Sequence, residues 1–230
     1  MENKVISKFA ACVLLMIFAV IIPYNGYCQI INYGNINDER KNIVGVNIGW
    51  DYSMSYEFSQ SFRISAKKTT YLISSTSLPV GKDIIDDSKS KFGVQSLLFK
   101  KNNFLVIGNY AIVMRVFRSP LVRIFNFGSD LKFISGYFKE NWFIALELGV
   151  EYSHTSHFKH SEIYKNNIYD NVKDGWYNHG YSGNKFIGIQ TGYSFRKSDI
   201  TLCLGTINNL KIHSNPLVPY YCKLGYNFNF

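Results

Sequence analysis

From Val44 to Phe58 every even position is apolar or aromatic: Val44, Val46, Ile48, Trp50, Tyr52, Met54, Tyr56 and Phe58. Every odd position between them is small, polar or acidic: Gly45, Asn47, Gly49, Asp51, Ser53, Ser55 and Glu57. Successive side chains of an extended strand point to opposite faces, so this stretch codes a strand with one apolar face. A helix is excluded, because its apolar stripe recurs every three to four residues. The chain ends in the same code, with Val218, Tyr220, Cys222, Leu224, Tyr226, Phe228 and Phe230 alternating with Pro219, Tyr221, Lys223, Gly225, Asn227 and Asn229.

Trp142–Tyr152, Phe186–Phe195 and Ile200–Gly205 alternate in the same way. Less regular strands are expected over about 62–75, 91–99, 104–116 and 130–138. No segment after residue 28 has the period of an amphipathic helix. The class is therefore all-β.

Interleaving also explains the composition. The chain has 230 residues, 47% of them hydrophobic, yet its mean hydropathy is −0.07. A helical membrane span needs about 20 consecutive apolar residues, and the longest such run, Phe9 to Ile22, has fourteen. That run follows Lys4 and Lys8 and precedes Pro23, the order of a secretory signal peptide. Cleavage after Cys28 is expected, which divides the chain into a signal peptide, 1–28, and a barrel domain, 29–230. Export implies an oxidising compartment. Cys203 and Cys222 are nevertheless expected as free thiols, since the strand phases place them on opposite faces of neighbouring strands.

Connection lengths give the solvent on the apolar face. Expected short turns are Ser59–Ser61, Lys100–Asn103, Lys139–Glu140 and Arg196–Ser198. Expected long loops are about 76–90, 117–129, 158–184 and 208–216. Short turns at one rim and long loops at the other are the plan of an outer-membrane barrel. Aromatics next to the short turns and the C-terminus, namely Tyr56, Phe58, Tyr137, Trp142, Tyr193, Phe195 and Tyr226–Phe230, are expected as a belt at the periplasmic interface. The expected fold is a closed antiparallel up-and-down transmembrane β-barrel in the cell outer membrane of a Gram-negative bacterium. Both termini are then periplasmic.

The ending Tyr226-Asn-Phe228-Asn-Phe230 resembles the C-terminal signal that such barrels present to the barrel assembly machinery. With Gln29 as the new N-terminus, and with GYSF at 192–195 and GYNF at 225–228, the chain resembles the small outer-membrane β-barrel proteins of Bacteroidota. The resemblance covers essentially the whole mature chain. It implies fold and location, and no site residues.

Ten strands are expected, with 44–58 as one strand and residues 29–36 crossing once more ahead of it. Eight strands are the alternative. A barrel this narrow is filled by side chains, not open. The expected lumen lining is Asp51, Glu57, Arg63, Lys67, Gln95, Asn109, Arg115, Lys132, Glu147 and Glu151, which carries both signs. Turn lengths set Lys132 opposite Glu147 and Glu57 opposite Arg63. A polar plug or a path for small solutes would both use such residues.

Three further constellations bear on chemistry. Four of the five histidines are His154, His157, His160 and His179, and the first three, near Glu162, Asp170 and Asp174, are candidate metal ligands. His154 and Ser156, two apart and so on one face, form with Glu162 as orienter the arrangement of an activated hydroxyl nucleophile. This is similar to the His-x-Ser of outer-membrane lipid A deacylases, although His157-Phe158 departs from the residues usual after that motif. Loop 158–184 combines tyrosines, Trp176 and asparagines, a composition suited to an extracellular glycan or protein partner. No cofactor is expected. The net charge is +9, and Lys4, Lys8 and Glu2 leave with the signal, so the mature chain carries +8. That charge suits contact with outer-membrane lipids and lipopolysaccharide, whereas scattered basic residues form no nucleic-acid patch.

Overall fold

A computed structural model describes residues 31–36, 41–50, 53–65, 69–81, 86–210 and 219–230. Ten antiparallel strands close into one barrel: β1 (Asn42–Trp50), β2 (Met54–Ser65), β3 (Thr70–Pro79), β4 (Asp87–Lys101), β5 (Phe104–Arg118), β6 (Val122–Phe138), β7 (Trp142–His160), β8 (Gly175–Phe195), β9 (Ser198–Asn209) and β10 (Tyr220–Asn229). Each strand pairs with its neighbours in sequence. The seam joins β1 to β10, from Ile43–Asn229 to Trp50–Cys222, and reciprocal bonds between Asn42 and Phe230 finish it at 3.0 and 2.9 Å. The expected signal peptide, 1–28, and Gln29 lie outside the described residues, as do Asp51 and Lys67.

The count of ten stands, but not by the expected route. Residues 44–58 belong to two strands, β1 ending at Trp50 and β2 starting at Met54, which pair antiparallel. Because Val46 faces Phe58 and Trp50 faces Met54, even residues pair with even residues. The two-residue period therefore runs through the hairpin unbroken, and nothing in the alternation marks the reversal. Gly49, Asp51 and Ser53 are the turn-forming types that could have marked it. Ser59–Ser61 is consequently no turn: it lies inside β2, paired with Ile73–Ser75. Tyr56 and Phe58, facing Ile48 and Val46, belong to the upper half of β2 and not to the belt at the terminal rim.

Residues 31–36 do not cross either. They turn into a short 3-10 helix, Tyr33–Asn35, capped by the Asn32 side chain, with Ile31, Asn32 and Tyr33 buried. The segment has no alternation to support a strand.

The exterior is apolar. Trp50 is 50% exposed and Leu146 43%, and outward apolar and aromatic residues are exposed on nine of the ten strands, β3 with Ser74 and Thr76 being the exception. Soluble proteins expose apolar patches of at most a few hundred Å², and a closed barrel satisfies every strand bond without water, as a span through hydrocarbon demands. Tyr137, Trp142, Tyr193, Phe195, Tyr226, Phe228 and Phe230 are exposed at the terminal rim. The two thiols are free, Cys203 buried and Cys222 exposed.

The strands differ in length. β1 has 9 residues and β10 has 10, whereas β7 has 19 and β8 has 21. A span needs about 9–11 tilted residues, so β5 to β8 continue beyond it on the loop side. The expected long loop 117–129 is instead a tight turn, with Ser119 N–H donating to the Val122 carbonyl at 2.9 Å and Pro120 at the position proline favours. Loop 158–184 shrinks likewise to 161–174, which contains α1 (Glu162–Asn167).

Candidate functional site

Interior positions alternate with exterior ones, so the lumen is built from every second residue. It has three levels. At the terminal end the N-terminal segment acts as a plug. The Asn32 amide donates to Ser194 Oγ at 2.8 Å and to the Lys139 and Glu140 carbonyls at 3.0 and 3.2 Å. Its Oδ1 accepts the Gly34 N–H at 2.9 Å. A Cβ on Gly34 would stand 2.5 Å from the Lys139 carbonyl oxygen, so the approach needs glycine. Tyr33 meets Tyr71 and Phe138 edge-on, and Phe138 stacks on Phe143 at 5.2 Å. Interior Leu105, Ile107 and Ile134 complete an apolar floor.

The middle level is ionic. Glu147, 2% exposed, accepts hydrogen bonds from the Gln190 amide and, at 3.2 Å, the Tyr221 hydroxyl, with Lys132 Nζ at 3.6 Å. Lys132 also lies over the Phe186 ring. Glu57 accepts from Asn47 Nδ2 and Lys223 Nζ, both at 3.1 Å. Lys89 and Lys91 hold Glu151 at 2.7 and 2.9 Å, and Lys91 also pairs with Asp130. Arg115 grips Asp87 with two 2.6 Å bonds. A buried charge is tolerated only when paired, and these are.

The sequence placed Glu57, Lys132, Glu147 and Glu151 in this network, and the structure brings all four inside. Two pairings differ. Glu147 stands opposite Ile134 and Lys132 opposite Gly149, because the turn is centred one residue later than expected, at Glu140–Asn141 between the paired Lys139 and Trp142; the ion pair forms diagonally. Glu57 meets Lys223 and not Arg63, which faces Tyr71, since no turn exists at Ser59–Ser61. Asp87 and Lys89 were missed because β4 begins earlier than its irregular alternation suggests; Lys91 and Asp130 head their expected strands, in phase with the inward Gln95 and Lys132. Lys223 was legible as an inward position of the last strand.

Above the ions, toward the loop rim, a cavity of about 450 Å³ remains. Arg115 and Glu151 line its lower part, and Asn126, Ser156, Phe158, His179, Asn184 and Asn209 line its walls. Asn126 Nδ2 donates to Ser156 Oγ at 2.8 Å and also to Ser153. Phe158 packs against the Tyr177 and His179 rings. Beyond it, Asp174 ties the tip of the β7–β8 hairpin. It accepts from the His160 main-chain N–H at 2.8 Å, the His160 ring at 2.9 Å and Lys165 Nζ at 2.8 Å. These donors, the His160 amide first, hold its carboxyl well below the usual aspartate range, and the Asp174 hydrogen bond raises Lys165.

His154 and Ser156 do not share a face. A β-bulge inserts His154 between Ser153 and Thr155, which pair with Gly128 and Phe127 on β6. One extra residue reverses the phase of every later position in the strand. His154 is exposed, bonded to Ser129 Oγ at 2.9 Å, while Ser156 is buried inside at 2% exposure. Glu162, on α1, is 82% exposed with Lys165 as its ion partner at 3.9 Å. The histidines likewise disperse: His157 packs on Trp176 and His160 on Asp174. Among the described residues no group of three His, Cys, Asp or Glu is placed to hold a metal.

No protein-family model matches the chain, and no curated protein matches it. Among solved structures, the chain is similar to a KdgM porin in complex with disordered oligogalacturonate. The identity is 9%, the TM-score 0.43, and the alignment covers 82% of this chain and 99% of that one.

Proposed function

We propose that the protein is a surface-interaction barrel of the cell outer membrane, with both termini periplasmic and the cavity facing outward to receive a short glycan segment. One observation carries this reading: the lumen is filled at the terminal end by the plug and its apolar floor, while the loop end keeps a cavity of about 450 Å³. Traffic is then one-sided. Side-chain amides from Asn126, Asn184 and Asn209 can exchange hydrogen bonds with hydroxyls, and the Phe158 and His179 rings offer flat faces to sugar rings. In this reading residues 1–28 are the export signal. Outward-facing Tyr226, Phe228 and Phe230 on the last strand are available to the barrel assembly machinery, and the apolar exterior meets outer-membrane lipids and lipopolysaccharide.

The test has two parts. Detergent-extracted protein should show heat-modifiable gel mobility, and segment 161–174 should be cleaved by protease on intact cells. Calorimetry against a panel of soluble oligosaccharides should then find binding that Asn184→Ala with Asn209→Ala weakens, since these two face each other across β8 and β9. Protein that stays monodisperse without detergent ends the membrane reading. A panel without a single binder ends the glycan reading alone.

A narrow pore is a second possibility only if residues 31–36 leave the barrel. Hydrolysis by His154 and Ser156 requires groups that the barrel wall now separates.

A further inference from the structure

On the outer face of the extended hairpins, Arg118, Arg123 and Lys159 stand side by side. Arg118 pairs directly with Arg123 across β5 and β6, and Arg123 with Lys159 across β6 and β7. All three are exposed, and none forms a side-chain hydrogen bond or ion pair among the described residues. The nearest acid along the edge of β8, Asp174, is committed to His160 and Lys165. Like charges set directly opposite one another in a sheet repel. Beside Arg118, just ahead of β4, stands Asp86, whose carbonyl accepts the Arg118 main-chain N–H; one neighbouring acid against three cations leaves the row short of counter-charge.

The row below shows what kind of counter-charge fits. Two residues closer to the apolar band lie Val116, Phe125, His157 and Trp176, again in register. Trp176 meets Phe125 and His157 edge-on at 6.1 and 5.1 Å. Below these, Met114 and Phe127 face outward. The order from the band upward is aliphatic, aromatic, then cationic. That is the order of a membrane edge, where aromatic rings sit at headgroup level and basic side chains reach the phosphates.

We propose that Arg118, Arg123 and Lys159 bind the phosphate headgroup of a membrane glycolipid whose acyl chains lie along Met114, Val116 and Phe127. Two guanidinium groups offer planar, bidentate hydrogen bonds to phosphate oxygens, and the lysine adds a third positive charge. The aliphatic surface beneath selects a lipid over free phosphate. The inference rests on the membrane placement proposed above, and gives it a specific contact.

The experiment uses the full mature chain folded in detergent, with native mass spectrometry and exchange into vesicles of phosphatidylcholine containing bisphosphorylated lipid A, dephosphorylated lipid A or neither. A cation close to an anionic lipid surface is worth about a fivefold gain in binding. The triple variant R118Q/R123Q/K159Q should therefore bind the bisphosphorylated lipid roughly 100-fold more weakly than the parent. Dephosphorylated lipid should bind the parent no better than the triple variant, and the control K100Q/K101Q, at the opposite rim, should behave as the parent. Equal retention by parent and triple variant would overturn the site, and so would competition by inorganic phosphate at the lipid's own concentration. Heat-modifiable mobility and insertion into pure phosphatidylcholine are scored in parallel. If both persist while lipid binding does not change, the site fails and the membrane reading survives; if both are lost in the parent, the membrane reading itself fails.

Discussion

The Tyr221 hydroxyl donates to Glu147 Oε1 at 3.2 Å from three strands away. The four residues Tyr221, Gly205, Gly188 and Glu147 occupy one row across β10, β9, β8 and β7. The tyrosine side chain passes over both glycines, and a Cβ on Gly205 would stand 2.5 Å from its ring. Two absent side chains thus let one aromatic ring cross the lumen and satisfy a buried carboxylate.

Gly188→Ala should destabilise the barrel by about 1–3 kcal/mol, the usual cost of an overpacked site, because the new methyl overlaps the Tyr221 hydroxyl. Tyr221→Phe should cost about 1–2 kcal/mol through the lost bond to Glu147. Urea unfolding in detergent or lipid measures both. A neutral Gly188→Ala would mean that Tyr221 does not lie across the row.

Lys223→Met leaves Glu57 buried without its cation, which typically costs about 3–5 kcal/mol. Adding Glu57→Gln should recover most of that loss. The double-mutant cycle reads the coupling directly, and additive losses would show that the two groups do not depend on each other.

Planar-bilayer recordings should find the parent protein closed to small ions. Asn32→Ala with Gly34→Val removes the bonds to Ser194 and the 139–140 turn and fills the space against Lys139, so the plug should leave and conductance should rise. Steady conductance in the parent would contradict a filled floor.

The Asp174 clasp has a defined pH sense. A carboxyl held below its ordinary value contributes fully above that value, 3.8, and loses its contribution as pH falls through the lower folded value. The His160 amide should therefore keep its protection from hydrogen exchange from pH 7 down to the ordinary aspartate value, after correction for intrinsic rates. Asp174→Asn should lose that protection at pH 7. A clasp that opens between pH 7 and pH 5 would show that another group controls it.

What was readable in the chain followed the hydrocarbon. Where one face must touch lipid and the other the lumen, alternation is compulsory, and Trp142–Val150 or Leu224–Phe230 could be assigned residue by residue. Outside that band the constraint lapses. Residues 122–129 form strand beyond that band, so Arg123 and Asn126 read as loop. The reversal between β1 and β2 was hidden for the opposite reason, since their even-to-even pairing kept the code intact. The lumen charges were legible as inward positions, but their partners were not: diagonal and cross-barrel contacts such as Glu57–Lys223 depend on closure of the seam, which no local pattern records. The vestibule required the bulge at His154, and the sequence there offers no glycine or proline to announce it.

That bulge also separates two regimes along β7. Below it, any shift in the odd and even order would expose charge to oil and is forbidden. Above it, the strand has already changed hands once, so insertions or exchanges in the hairpin tip leave the register of the spanning half untouched. The protein can therefore vary what it shows to its surroundings while the anchored part stays as it is.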